Sequence, residues 1–359
     1  MEKILGVIAP VLIMAVIFIL NAYLPARRVT GYITKPGSLE RMKYRINGIF
    51  VFIVIVASWF ILGITGSVPF DFLYNYRWYG LAGACIFGLI FTFVLVLPRK
   101  AVRKSIAADL FLGRAENLQV LNGRVDIKMW LYLAGATMLE LNVLSFTAFH
   151  LMTYSDAASP GIVLSAALLT WFVIEYLIFE EVHLYTYDLF AERIGFKLGW
   201  GCIVFYPYFY PVALWSTVAM PDPQTPSWLL VVYAAIFFSG WILARGANMQ
   251  KFFFKRDPQR SFLGIVPESI TDGKKRLLVN GFWGISRHVN YLGEILMASG
   301  IILCTGYPGL IWPWLYPLYY VLLLFSRQHY DDRRCSAKYG ELWGEYRKRV
   351  PWRIIPRIW

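Results

Sequence analysis

The sequence predicts an all-α, polytopic membrane protein with about nine to ten transmembrane helices, and three observations predict it. Of its 359 residues 58% are hydrophobic and only 16% are charged, against roughly 25% charged in a typical soluble domain. Apolar runs recur along the whole chain, each near the ~20 residues that a helix needs to cross ~30 Å of hydrocarbon. Lysine and arginine concentrate in alternate loops, the pattern that keeps basic loops on the cytoplasmic side.

The runs lie at 4–24, 46–66, 81–98, 129–152, 162–182, 198–219, 227–244, 289–306 and 311–326. The first is long, lacks a small-residue cleavage site and is followed by eight more, so it reads as a retained span. Loops 25–45, 99–128, 183–197 and 245–288 carry 6, 7, 2 and 9 Lys and Arg, and the tail 327–359 carries 9. The intervening loops hold only Arg77. This alternation predicts a cytoplasmic C-terminus and an external N-terminus. It also assigns the net charge of +13 to topology, anionic headgroups and a site, and not to nucleic acid. Cys85, Cys202, Cys304 and Cys335 fall in or beside different spans, which argues against a disulfide framework or a metal cluster.

Polar chemistry thickens toward the C-terminus. This divides the chain into a transmembrane bundle, 1–244, and a half at 245–359 made of a basic loop, a helical hairpin and a basic tail. Charged groups inside spans mark partners or sites; Glu140, Glu175, Glu180, Glu181 and Glu294 qualify. Glu140 and Glu175 read equally as structural groups, either an interhelical hydrogen bond or a buried protonated acid, and as parts of a site. The aromatic segment 183–211 adds Tyr187 and Asp188, phenol and carboxylate side by side, compatible with an acid that serves an apolar pocket.

Three stretches build the candidate site. Residues 245–256, "RGANMQKFFFKR", present Arg245, Lys251, Lys255 and Arg256, cations able to hold a phosphate. In 280–294, "NGFWGISRHVNYLGE", a helix starting soon after Gly284 would place Arg287, Asn290, Tyr291 and Glu294 on one face. His288 is expected to make a hydrogen bond and not to bind a metal. In the tail, one continuous helix would align Arg327, Asp331, Cys335, Lys338, Tyr339, Leu342 and Tyr346. Such a mixture of cations, carboxylate and phenols suits a flat anionic ligand better than a lipid face. The ligand implied is nucleotide-like, and the second substrate is lipid-soluble.

Here the residues resemble a known family. "RGANMQKFFFK", "LLVNGFWGISRHVNYLGE" and "DDRRCSAKYGELWGEY" followed by "VPWRIIP" are similar to three motifs, in the same order, of the membrane-embedded sterol reductases of the Δ14, Δ7 and Δ24 type. The resemblance implies an NADPH site. Lys251 and Lys255 would hold phosphates; Leu278, Trp283, Asn290 and Tyr291 would line the nucleotide with Arg287 nearby; and Asp331, Cys335, Lys338, Tyr339 and Tyr346 would complete the site from the tail, with Arg327 one turn before Asp331. "EEVHLYTYDLF" resembles a further family segment and keeps Glu180 and Asp188. Two departures bear on which double bond is reduced. Tyr132, Ala134, Gly135 and Ala136 replace the family's E-x-R-P-G, and Tyr330 replaces an arginine.

Reducing an isolated alkene needs a proton on one carbon and a hydride on the other. Asp331 is the first candidate for the acid, with Glu180, Asp188, Tyr185 or Tyr187 as alternatives. The expected partners are a sterol from the bilayer, NADPH and membrane lipids. The expected location is the endoplasmic reticulum in a eukaryote or the inner membrane in a bacterium. The rival readings are an isoprenylcysteine-type methyltransferase using S-adenosylmethionine, whose C-terminal region shares "RHVNYLG", and a non-catalytic lipid-binding membrane protein.

Overall fold

The computed structural model describes residues 1–35 and 37–358 and divides between Pro223 and Gln224 into two compact units. Helices of seven residues or more are labelled here in chain order. The first unit holds α1 (Glu2–Tyr23), α2 (Gly48–Ile64), α3 (Arg77–Val96), α4 (Ile106–Leu112), α5 (Ile127–Tyr154) and α6 (Pro160–Ile178). Its core is α5, most of whose length is buried. Asp126 caps α5 by accepting the amides of Lys128 and Met129, and Ser159 caps α6 by accepting that of Ile162 ahead of the favourable Pro160. Two basic loops fold into antiparallel hairpins: β1 (Arg27–Thr34) with β2 (Arg41–Ile46), and β3 (Gln119–Val120) with β4 (Val125–Asp126).

Glu140 is buried in α5 and accepts a bond from Thr170 Oγ1 on α6 at 2.9 Å. It is therefore an interhelical tie. Run 198–219 departs from the expected single helix. It breaks into a turn at Phe196–Trp200, a π-helical turn at Gly201–Phe205 and short helices at Tyr206–Phe209 and Val212–Thr217. Pro207 and Pro211 explain the break, since proline offers no N–H and clashes with the preceding turn. Pro211 leaves the carbonyl of Pro207 without its helical donor, and Asn142 Nδ2 on α5 takes that place at 2.9 Å. Irregular backbone at membrane depth survives only with such substitutes.

The second unit holds α7 (Ser227–Arg256), the hairpin β5 (Ser269–Thr271) and β6 (Arg276–Leu278), α8 (Val289–Cys304), α9 (Ile311–Tyr339) and α10 (Glu341–Arg349). Among the described residues α1, α3, α5, α6 and α7 are long and apolar enough to cross a membrane, and α2 and α8 are shorter apolar helices. The chain is thus a polytopic helical membrane protein. With 30 residues, α7 is about 45 Å long and outreaches a ~30 Å hydrocarbon layer, and its cationic last turns, with Lys251 and Lys255, are the part most costly to leave within it. The tail is not one continuous helix. Gly340, at φ +57°, closes α9 in a left-handed conformation and α10 restarts at a new angle.

Helices α7 and α8 touch backbone to backbone. A Cβ at Gly293 would lie 2.5 Å from the Gly240 carbonyl oxygen, one at Gly240 would lie 2.5 Å from that of Gly293, and one at Gly300 would strike Phe237. Only glycine permits this approach. Gly293→Val is expected to cost roughly 1–3 kcal/mol through overpacking and to lower the thermal midpoint of the detergent-solubilised protein. Gly344→Ala, where a Cβ meets nothing within 4 Å, should leave the midpoint level or raised.

Candidate active site

The site of the second unit is assembled from the end of α7 outward. Trp283 Nε1 donates to the Ala247 carbonyl at 2.8 Å, and Gln250 Oε1 accepts the Phe282 amide at 3.0 Å. Gly281 makes the tight turn between them at φ +62°, where any Cβ would collide with Gln250. The turn 280–283 is thereby fixed to α7, and Lys251 Nζ stands 5.3 Å from the Trp283 ring centroid, a cation–π contact.

A second fastening comes from the tail. The Arg287 and His288 amides donate to the carbonyls of Trp352 and Arg353 at 2.9 and 2.8 Å, and Ser286 Oγ donates to that of Ile354 at 2.9 Å. Ser286 is therefore extended, Arg287 and His288 form a turn, and α8 begins only at Val289. Asn290, Tyr291 and Glu294 lie on α8 as expected, but Arg287 does not share their helix, because its amide is committed to the tail.

Beyond this strap the chain brings Tyr291 to Asp331. The phenol donates to Asp331 Oδ2 at 2.6 Å, and the His288 ring lies flat on the Tyr291 ring with centroids 4.8 Å apart. Arg327 and Cys335 stand one turn either side of Asp331 on α9, and burial pushes the Cys335 thiol up. Asp331, Lys251, Arg334 and Lys338 all act electrostatically on that thiol. Lys255 on α7 likewise feels Lys338 and Arg334 on α9. The cations expected to bind phosphate thus gather at one place.

Tyr339, Trp343 and Tyr346 continue the aromatic wall, with centroids 6.5 and 5.0 Å apart along the series. Tyr346 donates to the Trp283 carbonyl at 3.2 Å, and burial holds its phenol well above the usual tyrosine range. Gly340 breaks the helix, yet Tyr346 still reaches the site, because α10 packs on the hairpin. Ile270, Leu342, Trp343, Tyr346 and Val350 form a core there, flanked by Leu277 and Val279. Leu278 is buried in β6. Lys338 offers its backbone carbonyl to Lys275 Nζ and its own ammonium to the Tyr339 ring, 5.1 Å away.

These residues fit a phosphorylated dinucleotide. Three ammonium groups at the α7–α9 rim match phosphates, and the partly exposed rings of Trp283 and Tyr339 offer flat faces, backed by the buried Trp343 and Tyr346. The buried Asn290 Oδ1 and Trp343 Nε1, an acceptor and a donor, have no partner among the described residues.

The remaining candidates lie in the first unit. Glu180 is buried and its Oε2 accepts the Gly48 amide at 3.0 Å, so it caps the N-terminus of α2 where Asn47 makes no side-chain cap. Tyr187 and Asp188 open a short helical turn, 187–190. The buried Lys128 secures that turn by donating to the Leu189 carbonyl at 2.9 Å, and Asp188 acts on it electrostatically. Sequence reasoning missed Gln328, Asp332 and the strap 352–354. The only signal for the strap was the repeated family closing motif.

A fold of broken and long apolar helices, with cations and aromatic rings gathered on its last four, defines a polytopic helical membrane protein. The family model described as the ergosterol biosynthesis ERG4/ERG24 family matches residues 6–359, and the chain belongs to that family of membrane sterol reductases. It is 33% identical to a Delta(14)-sterol reductase of Methylotuvimicrobium alcaliphilum, over 95% of this chain and 80% of the relative. It is 29% identical to that of Arabidopsis thaliana, over 94% and 91%, and 32% identical to that of Mus musculus, over 94% and 81%.

Burial, and then the neighbouring Arg287, push His288 down to about 3 from 6.5, with Lys251 and Arg327 acting the same way and Asp332 opposing. The unfolded chain therefore binds more protons than the folded one between those values. His288's contribution to stability is complete above about pH 6.5 and declines as pH falls through that window, by up to about 1.4 kcal/mol per pH unit. Denaturation midpoints measured from pH 7 to 4.5 should show this slope, and His288→Phe, which keeps the ring on Tyr291, should flatten it. An equal slope in both proteins would exclude His288 as its origin.

Proposed function

We propose that the protein reduces the Δ14 double bond of a sterol with NADPH, by adding a proton from its own side chains and a hydride from the cofactor. The observation that carries this reading is the Tyr291–Asp331 bond at 2.6 Å, a phenol proton donated to a carboxylate beside a cation-and-aromatic cradle. The names of the relatives support the Δ14 position, and the family supports reduction of a sterol double bond.

Lys251, Lys255 and Lys338 would neutralise phosphates, and Trp283, Asn290, Tyr339, Trp343 and Tyr346 would hold the nucleotide in place, with Leu278, Arg287, Arg327 and Cys335 behind them. NADPH, when bound, supplies the hydride. Asp331 and Tyr291 hold the proton that the alkene must receive. The residues at 245–359 then act as the cofactor-binding half. The sterol enters from the bilayer, and the basic loops and the C-terminus face the cytoplasm.

Purified protein given NADPH and sterols unsaturated at Δ14, Δ7 or Δ24 should convert the Δ14 compound to a product heavier by two hydrogens, read by mass spectrometry. Asp331→Asn should lower turnover by about 100-fold or more while NADPH binding persists. Full activity in that variant removes Asp331 as the acid. Conversion of the Δ7 or Δ24 sterol alone overturns the assignment of the bond.

A further inference from the structure

The proton that Asp331 and Tyr291 deliver has to be replaced after every turnover, and beside them the structure holds Gln328, Asp332, His288 and Arg287, of which only Arg287 has been placed near the nucleotide. Gln328 and Asp332 stand one turn apart on α9, on the same side of the helix, and Gln328 is 1% exposed. Arg287 and His288, from the strapped segment, are buried at 4% and 8% exposure. Asp332 acts electrostatically on both Arg287 and His288, and the His288 ring is tied through Tyr291 to the adjacent Asp331, so the strapped segment and this side of α9 are neighbouring walls.

Five polar atoms of these four residues are buried without a protein partner among the described residues: both amide atoms of Gln328, Oδ1 of Asp332, Nε2 of His288 and Nε of Arg287. A fold tolerates one such atom and rarely several together; where they cluster, ordered water satisfies them. The third wall is the functional pair itself, since His288 stacks on Tyr291 and Tyr291 donates to Asp331.

We propose that Gln328, Asp332, His288 and Arg287 enclose a water-holding chamber through which solvent reloads the Asp331–Tyr291 pair with its proton. This inference rests on the acid role given to that pair. In each cycle the pair loses one proton to a substrate carbon. An O–H bond of a chamber water then breaks as the O–H bond of the pair re-forms. The same exchange between neighbouring waters passes the deficit out to solvent, so one proton enters per turnover and no electron moves. Gln328 and His288 are positioning residues here, because they hold water and touch neither substrate nor cofactor. Gln328 has the larger part, since its amide can both donate and accept.

Two measurements test this. The first follows NADPH oxidation by Gln328→Met and by the conservative Gln328→Glu, in single-turnover and steady-state mode. Gln328→Met should keep the first turnover and the NADPH dissociation constant, yet lose about tenfold in steady-state rate. A larger solvent deuterium isotope effect should appear with that loss, and Gln328→Glu should restore the rate. Weaker NADPH binding would instead make these atoms cofactor contacts, and unchanged kinetics would make them inert; either result overturns the chamber. The second is a high-resolution experimental structure of the wild-type protein, which should show ordered water within hydrogen-bond distance of Gln328 and Asp332; a dry cluster also overturns it. A wet chamber in a protein that reduces no sterol would sink the acid role of the pair and leave the water site standing, so the two failures are distinct.

Discussion

Everything in the second unit depends on one place where two helices have no side chains between them. Gly240 and Gly293 face each other so closely that a methyl group on either would meet the other's carbonyl oxygen. In lipid, apolar side chains gain little by leaving the acyl chains for one another, so close backbone approach supplies the packing. Its consequence is positional. Tyr291 stands two residues before Gly293, and Lys251 stands three turns along α7 from Gly240, so the crossing sets the phenol and the ammonium at a fixed separation.

Outside the lipid a different force takes over. The hairpin and α10 close an ordinary hydrophobic core around Ile270, Leu342, Trp343 and Tyr346, where burial from water contributes about 25 cal/mol per Å². That core places Tyr346 despite the break at Gly340, and the tail beyond it runs on to pair with 286–288. The site is therefore held from two sides by two kinds of packing, glycine contact within the membrane helices and hydrophobic burial beyond them. Neither alone would orient Trp283 between Ala247 and Tyr346.

The fold was legible where it follows composition. Runs of apolar residues located the long helices, and the cations and aromatics of three segments picked out residues that the fold brings together, because charge is too costly to place idly beside a membrane. Proline chemistry in 198–219 was equally visible, but a hydrophobic run measures length and not continuity. The strap was invisible for a deeper reason: it joins Arg287 and His288 to Trp352 and Arg353 through backbone groups, which every residue carries. Glu180 illustrates the same limit. Its partner Gly48 is 132 residues away, and nothing local to "EEVH" announces a helix N-terminus that far off.

The electrostatics of the rim complete the picture. Lys255 lies within reach of Lys338 and Arg334, so the folded chain holds like charges together from α7 and α9 before any ligand arrives. That arrangement costs stability by itself, and the glycine crossing and the outer core offset the cost. An anion placed among these cations removes the repulsion and gains attraction at once, without rearranging side chains already fixed in place. The site is preorganised in this sense, and ligand binding and unit stability are then linked, because whatever binds the folded state alone stabilises it by mass action. The same charges leave the interior to neutral groups. His288, surrounded by Arg287, Arg327 and Lys251, stays uncharged, so the ring on Tyr291 adds no further cation beside the Tyr291–Asp331 bond.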